Sequence, residues 1–495
     1  MSESNIISKV YSLAGVLRDD GVTNSDYLEQ LTYLIFLKMA YEYALPPYER
    51  DYGIPSEYSW GALTDKTGAA LSKQYKDTLD ALAQKPGVLQ EIFTEAVNKI
   101  SKPAILKRVV TTIDGEQWTA MAEDVKGDIY EGLLAKVAED SKSGAGQYFT
   151  PRPLINAIVR CVAPSPGKTI ADPCCGSGGF LLASKAYIEQ HFNLDTDQKK
   201  ALRYDTFRGW ELVRNTYRMC LMNLFLHSIG DFKGVVPVTR NDSLLADPGE
   251  RFDYVLTNPP FGKKSSISVE NEEGEEENEE LVYNRQDFWA ATSNKQLNFV
   301  QHIHTLLKAS GTAAVVVPDN VLFEGGAGEA VRKMLLQTTN LHTILRLPTG
   351  IFYKQGVKAN VIFFKKQPQG PHAATKEVWI YDLRTNMRFT LKQSPLQESD
   401  LDDFVSCYNP EDIANRSETW SQDNPDGRWR KFTYDEIIAR DKTSLDIFWI
   451  KDQSLTDLDN LPEPEILAEQ IMSHLSAALE AFEEITSTLK RKVQE

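Results

Sequence analysis

From about residue 140 the sequence alternates short β-branched runs with helical patterns, and this alternation constrains the fold more than any other feature of the chain. The runs lie at 169–170, 207–212, 235–239, 254–257, 313–317, 341–347 and 361–364. Helical patterns at 181–190, 217–227, 297–308 and 329–336 separate most of them. Repeated strand–helix–strand units predict an α/β fold, a doubly wound and mostly parallel sheet. Such sheets bind ligands at the carboxyl ends of their strands, so chemistry is expected just after each run.

The flanks read differently. Residues 1–140 are helical: Ile6, Ile7, Val10, Leu13 and Leu17 recur at helical spacing. Asn24 and Ser25 are placed to cap a second helix carrying Leu28, Leu31, Leu34, Ile35 and Met39. A Pro- and Tyr-rich break at 46–58 precedes further helix near 73–83, 88–99 and 124–139. Beyond residue 400 the chain turns irregular and polar, and a last helix follows Pro462 and Pro464. Its apolar stripe is Leu467, Ile471, Leu475, Leu479, Phe482, Ile485 and Leu489, able to pack on its own domain or on a partner helix. The expected organisation is a helical domain over 1–140, a catalytic α/β domain over 141–400 and a C-terminal region over 401–495. Glu270 to Glu280 holds eight glutamates in eleven residues and is expected to be a solvated, mobile loop.

Charge and cysteine content narrow the classes of function. The formal net charge is −16, which sets the chain as a whole against bare phosphate backbone. If it acts on nucleic acid, its surface is strongly polarised or a partner does the gripping. Cys161, Cys174, Cys175, Cys220 and Cys407 are odd in number and include no C-x-x-C pair, so neither a disulfide framework nor a zinc site is suggested. The N-terminus lacks a secretory pattern, and the longest apolar stretch, 31–39, is far short of the ~20 residues of a spanning helix. A reducing cytoplasm is the expected compartment, with no membrane partner.

Four segments fall where the fold places chemistry. At the first strand end, Asp172 precedes a loop containing Gly176, Ser177, Gly178 and Gly179, with a helix following. The glycines allow a sharp turn and close approach of a ligand, and the helix start offers free N–H groups. The dinucleotide fingerprint fails because Leu181 stands where its last glycine belongs, and no Gly-Lys-Ser/Thr phosphate loop is present. Asp172 would repel a phosphate and attract an ammonium, which favours a ligand with a cationic amino-acid part. Glu211 follows the second strand and can accept from ribose hydroxyls, while Asp242, after the third, can accept from an exocyclic amine. The fourth strand ends in Asn258-Pro259-Pro260-Phe261. The amide oxygen of Asn258 and the carbonyl of Pro259 can accept both hydrogens of one base NH2, drawing the nitrogen towards tetrahedral geometry, while Phe261 offers a face for stacking. Upstream, Gln147, Tyr148, Phe149, Thr150, Pro151 and Arg152 lead into a helix for which Thr150 and Pro151 suit the cap and first position.

Taken together, GQYFTPR, DPCCGSGGF, Glu211, Asp242 and NPPF resemble the amino-type DNA methyltransferases in their γ motif order. With YLIFLKM (33–39), AGQYFTPRPL (145–154) and SLDIFWIKD (444–452), the chain is most similar to modification subunits of type I restriction–modification systems. The resemblance implies the Rossmann-like methyltransferase fold and methyl transfer from S-adenosylmethionine to N6 of a flipped adenine in double-stranded DNA. It also implies a complex of two modification subunits with one specificity subunit and, optionally, restriction subunits. Carried over residue by residue, Gln147 to Arg152, Asp172, Gly176 to Gly179, Glu211 and Asp242 are the cofactor-binding positions, and Asn258 to Phe261 the catalytic ones. No metal is implied. Cys174 and Cys175 depart from the family, standing where small residues such as alanine are common. The competing readings are methylation of another acceptor, a glutamine side chain or RNA, and a non-catalytic scaffold.

Overall fold

The computed structural model describes residues 9, 12–18, 20–120, 150–230, 236–262, 266–270, 276–280, 282–352, 356–368, 370–391, 393–452 and 472. The expectations for Gln147, Tyr148 and Phe149, for a helix over 124–139 and for the C-terminal stripe lie outside these residues.

The N-terminal region holds helices α1 (Asn24–Ala44), α2 (Gly68–Leu82), α3 (Val88–Phe93) and α4 (Pro103–Asp114): α4 packs on both α1 and α2, while α1 meets Phe93 of α3 through Tyr33 and Phe36, and Tyr75 of α2 through Gln30. Helix α1 buries nearly every side chain from Tyr27 to Ala40, as a helix apolar on all sides must. Its cap is one residue earlier than the sequence suggests. Thr23 sits in extended backbone and its hydroxyl accepts from the Asp26 N–H at 3.4 Å, a conformation that a β-branched residue favours.

The remainder forms a nine-stranded sheet: β1 (Ile170–Asp172), β2 (Phe207–Trp210), β3 (Val238–Thr239), β4 (Phe252–Thr257), β7 (Leu307–Pro318), β8 (Thr339–Arg346), β9 (Ala359–Lys366), β10 (Glu377–Asp382) and β11 (Trp429–Thr433). β5 (Ser266–Glu270) and β6 (Glu276–Glu280) form a separate ribbon. The sheet order is β11-β10-β8-β9-β7-β4-β1-β2-β3, and the strands from β7 to β3 run parallel. β9 runs antiparallel between β7 and β8. From β1 the chain winds outward through β2 and β3, then returns to place β4 on the other side of β1. That reversal between β1 and β4 opens the crevice in which doubly wound sheets bind ligands.

Helices α5 (Arg152–Val162), α6 (Gly179–His191), α7 (Arg214–Leu226), α8 (Lys295–Leu306) and α9 (Ala327–Thr338) complete the layers. Alternation along each strand feeds both faces. Val255 joins the apolar cluster of α8 and α9, and Leu256 joins that of α5. A third cluster runs unbroken from α1 through α7 to Ile170 and Phe207, so the N-terminal helices and one end of the sheet share a core.

Two expectations are corrected here. The boundary at residue 400 falls inside the sheet, because β11 pairs antiparallel with β10 and buries Trp429 fully against Trp379, ring centroids 5.2 Å apart. One buried tryptophan amid polar residues is too little pattern to announce an edge strand. The Glu-rich segment is not a featureless loop over its described backbone: Ser266 pairs with Glu280 and Glu270 with Glu276. An insertion that leaves Gly262 and returns to Tyr283 brings its two arms side by side, and Ser266 to Val269 has strand-forming character.

Candidate active site

The four strand-end segments meet at the crevice. Asp172 ends β1, is 1% exposed, and its Oδ1 accepts from the Cys174 N–H at 3.0 Å and the Thr257 hydroxyl at 2.6 Å. Burial pushes its carboxyl up to about 7; the two hydrogen bonds oppose this and nearby Glu211 adds to it. Gly176 and Gly178 take left-handed backbone, φ 54° and 88°, which turns the chain from β1 into α6. A Cβ on Gly178 would lie 3.1 Å from Leu224 Cδ2 and 3.2 Å from Cys220 Sγ, and one on Gly179 would lie 2.8 Å from Ile155 Cδ1. A side chain at Gly178 is opposed by both neighbours and by the backbone, whereas one at Gly179 would have to displace the tip of Ile155.

Glu211 follows β2. Its Oε2 accepts from the Gly176 N–H at 3.1 Å and its Oε1 from the Val213 N–H at 2.7 Å, so one carboxylate buttresses the glycine loop and its own turn. Burial raises its pKa above the ordinary carboxylate value, against the pull of these N–H donors. Leu212 and Val213 beside it are exposed. Asp242 accepts from the Leu244 N–H and from the Tyr283 hydroxyl, at 2.9 and 2.8 Å. An Asx turn is therefore present, with a second partner supplied from 41 residues further along the sequence.

Asn258 leaves β4 with its Nδ2 donating to Thr150 Oγ1 at 2.8 Å. Its Oδ1 is buried and has no hydrogen-bond partner among the described residues. A buried acceptor left open costs free energy unless a ligand fills it, which makes this atom a candidate binding position. Pro260 and Gly262 are held from behind: both carbonyls accept from Gln296 Nε2, at 3.1 and 3.2 Å. Glu211, Asp242, Asn258, Pro260 and Tyr283 line one cleft of about 160 Å³. A neighbouring cavity of about 30 Å³, bordered by Thr150, Asp172, Ser177 and Gly179, shares Cys174, Gly176 and Asn258 with it.

Two site expectations need correction. Thr150 does not cap α5, which starts at Arg152 with Pro151 in the cap position and no side-chain cap bond. The Thr150 hydroxyl is taken by Asn258 instead. Phe261 does not present its face to the cleft. It is 6% exposed, edge-on to Phe352 at 5.4 Å, because an aromatic ring beside Ile155, Phe180 and Leu256 gains more from burial than from water. The ring anchors the loop from beneath. Sequence reasoning missed Thr257, Gln296 and Tyr283. Thr257 carried a signal, lying directly before NPPF at the strand end; Gln296 and Tyr283 carried none.

The cysteine pair fits as expected from its size. Cys175 is buried, with its Sγ 3.7 Å from Cys220 Sγ. Gly209 makes the space, since a Cβ there would approach Cys175 Sγ to 3.0 Å.

A family model described as N-6 DNA Methylase matches residues 121–447, and one described as the HsdM N-terminal domain matches residues 6–113. The chain belongs to the N-6 DNA methylase family. The StySPI type I restriction enzyme methylase subunit of Salmonella potsdam is 38% identical, covering 97% of this chain and 94% of that one. The EcoKI methylase subunit of Escherichia coli K12 is also 38% identical, over 99% of this chain and 96% of that one. In the crystal structure of the EcoKI M protein the likeness is 33% identity and a TM-score of 0.55, covering 96% and 94% of the two chains. A chain from a type I restriction–modification system complex gives 25% identity and a TM-score of 0.70, over 99% of both. This N-6 methylase is thus an adenine-specific DNA methyltransferase of the type I modification-subunit kind, and the readings as a modifier of glutamine or RNA, or as an inert scaffold, give way. Among the described residues no helix is long and apolar enough to cross a membrane.

Proposed function

We propose that this N-6 methylase uses S-adenosylmethionine, held at the crevice between β1 and β4, and that Asn258 and Pro259 grip the target adenine. The observation that carries the reading is the buried, partnerless Oδ1 of Asn258 at the point where Asp172, Glu211 and Asp242 converge. The residues suit the cofactor. A buried carboxyl with its pKa near 7, as at Asp172, is relieved by a neighbouring ammonium. The left-handed backbone of Gly176 and Gly178 turns the loop tightly beside both cavities, and Glu211 keeps lone pairs for ribose hydroxyls. Leu212 and Val213 offer an apolar wall for the adenine ring, and Asp242 an acceptor for its amine. Gln147 to Arg152 would complete the methionine end. Bound there, S-adenosylmethionine supplies an electrophilic methyl on a sulfonium.

The chain's own task is placement. The target base leaves the duplex and enters the cleft. Asn258 Oδ1 and the Pro259 carbonyl accept the two N6 hydrogens, which localises the nitrogen lone pair for in-line attack. Thr150 fixes the amide and Gln296 fixes the loop behind it, so neither acceptor needs to reorganise. Alignment of this kind can contribute about 7–11 kcal/mol of the barrier reduction. With a charge of −16, the chain is suited to a complex in which a specificity subunit reads DNA, a second modification subunit completes the core and restriction subunits add to it. The test is Asn258→Ala: tritium transfer to DNA should fall at least a thousandfold while S-adenosylmethionine binding stays within a few-fold. Near-normal transfer would defeat the assignment.

A further inference from the structure

Helix α7 touches both the N-terminal helices and the glycine loop. On its outer side Arg218, 3% exposed, donates to Glu29 Oε1 at 2.6 Å, to the Tyr33 hydroxyl at 2.8 Å and to the Thr94 carbonyl. The Tyr33 hydroxyl in turn donates to Glu29 at 2.7 Å, and Arg214 pairs with Glu95. On its inner side Asn223 Nδ2 donates to the Ser177 carbonyl at 2.9 Å, and Leu224 and Cys220 fill the space that Gly178 leaves. The beginning of the loop hangs from the sheet, where the Cys175 N–H donates to the Trp210 carbonyl at 3.0 Å. The middle of the loop, at Ser177 and Gly178, rests on α7.

Apolar packing between helices tolerates small slips, whereas a fork of charge-assisted bonds to three fixed acceptors does not. A buried guanidinium that slipped from its acceptors would face the cost of an unpaired charge, so Arg218 sets both the rotation and the axial position of α7. Whatever sets α7 sets the Ser177 carbonyl, through Asn223. We propose that Arg218 and Asn223 are positioning residues for methyl transfer: through α7 they convert the docking of the N-terminal helices into the geometry of the glycine loop that receives the cofactor. This rests on the assignment of that loop to S-adenosylmethionine. It gives the N-terminal helices a part in catalysis although none of their described residues lines the cleft.

The experiment uses the full chain with Arg218→Met, Arg218→Lys, Tyr33→Phe and Asn223→Ala. Amide hydrogen exchange over 175–180 is read without cofactor, and S-adenosylmethionine affinity by calorimetry. Arg218→Met and Asn223→Ala should each speed exchange over 175–180 and weaken affinity about tenfold. The double variant should be little worse than either single, because both act through one helix. Arg218→Lys keeps the Glu29 pair and should recover part of the loss. Tyr33→Phe keeps its ring on Phe93, 5.4 Å away, and decides the matter should Arg218→Met fail to fold. The methyl-transfer KM for DNA should not move. Folded variants that bind cofactor normally and leave loop exchange unchanged would overturn the proposal. Absence of any binding heat with the unaltered chain would instead defeat the cofactor assignment.

Discussion

Asp172 should be a liability to the fold and an asset to the site, and Asp172→Asn separates the two. Its carboxyl is 1% exposed, and burial raises its pKa from 3.8 to about 7. The folded chain therefore holds a proton there that the unfolded chain has already lost. The stability this contributes is complete below pH 4, declines as pH rises, and is gone above pH 7. At ~1.36 kcal/mol per pH unit, the span from 3.8 to about 7 is worth about 4 kcal/mol. Asparagine is neutral throughout and can accept the same bonds from Cys174 and Thr257. The variant should match the parent near pH 4 and exceed it by about 4 kcal/mol at pH 8. For a cooperative unit of roughly 300 residues this is about 6 °C in Tm. Paired thermal melts at pH 4.5, 6, 7 and 8 read the widening gap directly. Binding should show the reverse. Ammonium attraction needs ionised Asp172, so parent affinity for S-adenosylmethionine should climb between pH 5.5 and 7, while that of the variant is weak and flat. A Tm gap that is constant over this range would mean that Asp172 is ionised throughout, and the argument from burial would fail.

The two glycines that face side chains should differ in tolerance. Gly178→Ala combines left-handed backbone with contacts on Leu224 and Cys220 and should cost about 2–4 kcal/mol, whereas Gly179→Ala meets only the tip of Ile155 and should cost about 1 kcal/mol; equal losses in chemical denaturation would contradict this. Tyr283→Phe removes a 2.8 Å bond to Asp242 and should change KM for S-adenosylmethionine several-fold with kcat nearly intact, as steady-state kinetics would show. Removing 462–495 should release the chain from its specificity subunit in size-exclusion assays; a complex that still assembles would exclude that stripe as the contact.

Much of the fold is legible in the sequence because burial on both faces writes long apolar runs. β7, β8 and β9 are of this kind, and they and β1 to β4 each overlap their expected place. Where one buried residue carries a strand, as Trp429 does in β11, the pattern is too thin, and the sheet continues past the expected boundary. The site divides along the same line. Asp172, Gly176 to Gly179, Glu211, Asp242 and Asn258 announce themselves by falling at strand ends, and the structure brings them together. Their supports do not. Gln296 reaches Pro260 from a helix, and Tyr283 reaches Asp242 across an insertion; both are long-range partners with no local signature. Phe261 and Thr150 show the opposite error. Local rules assign them a stacking face and a helix cap, but tertiary neighbours claim both.

The arrangement also accounts for how an acidic chain can promote this chemistry by placement. Thr257 and Asn258 are consecutive. Thr257 donates to Asp172 at 2.6 Å, and Asn258 holds the open acceptor. Asp172 and the amide proposed to receive the base are thus tied through one hydroxyl and one peptide bond, on strands already in register from Ile170↔Tyr254 to Ala171↔Val255. With the cofactor and base in their proposed places, the distance between methyl donor and acceptor nitrogen is set across two adjacent, hydrogen-bonded parallel strands. A reaction whose proton becomes acidic only after attack asks for little else. The formal charge of −16 is compatible with this, since placing the reacting groups asks for acceptors and not for a basic surface.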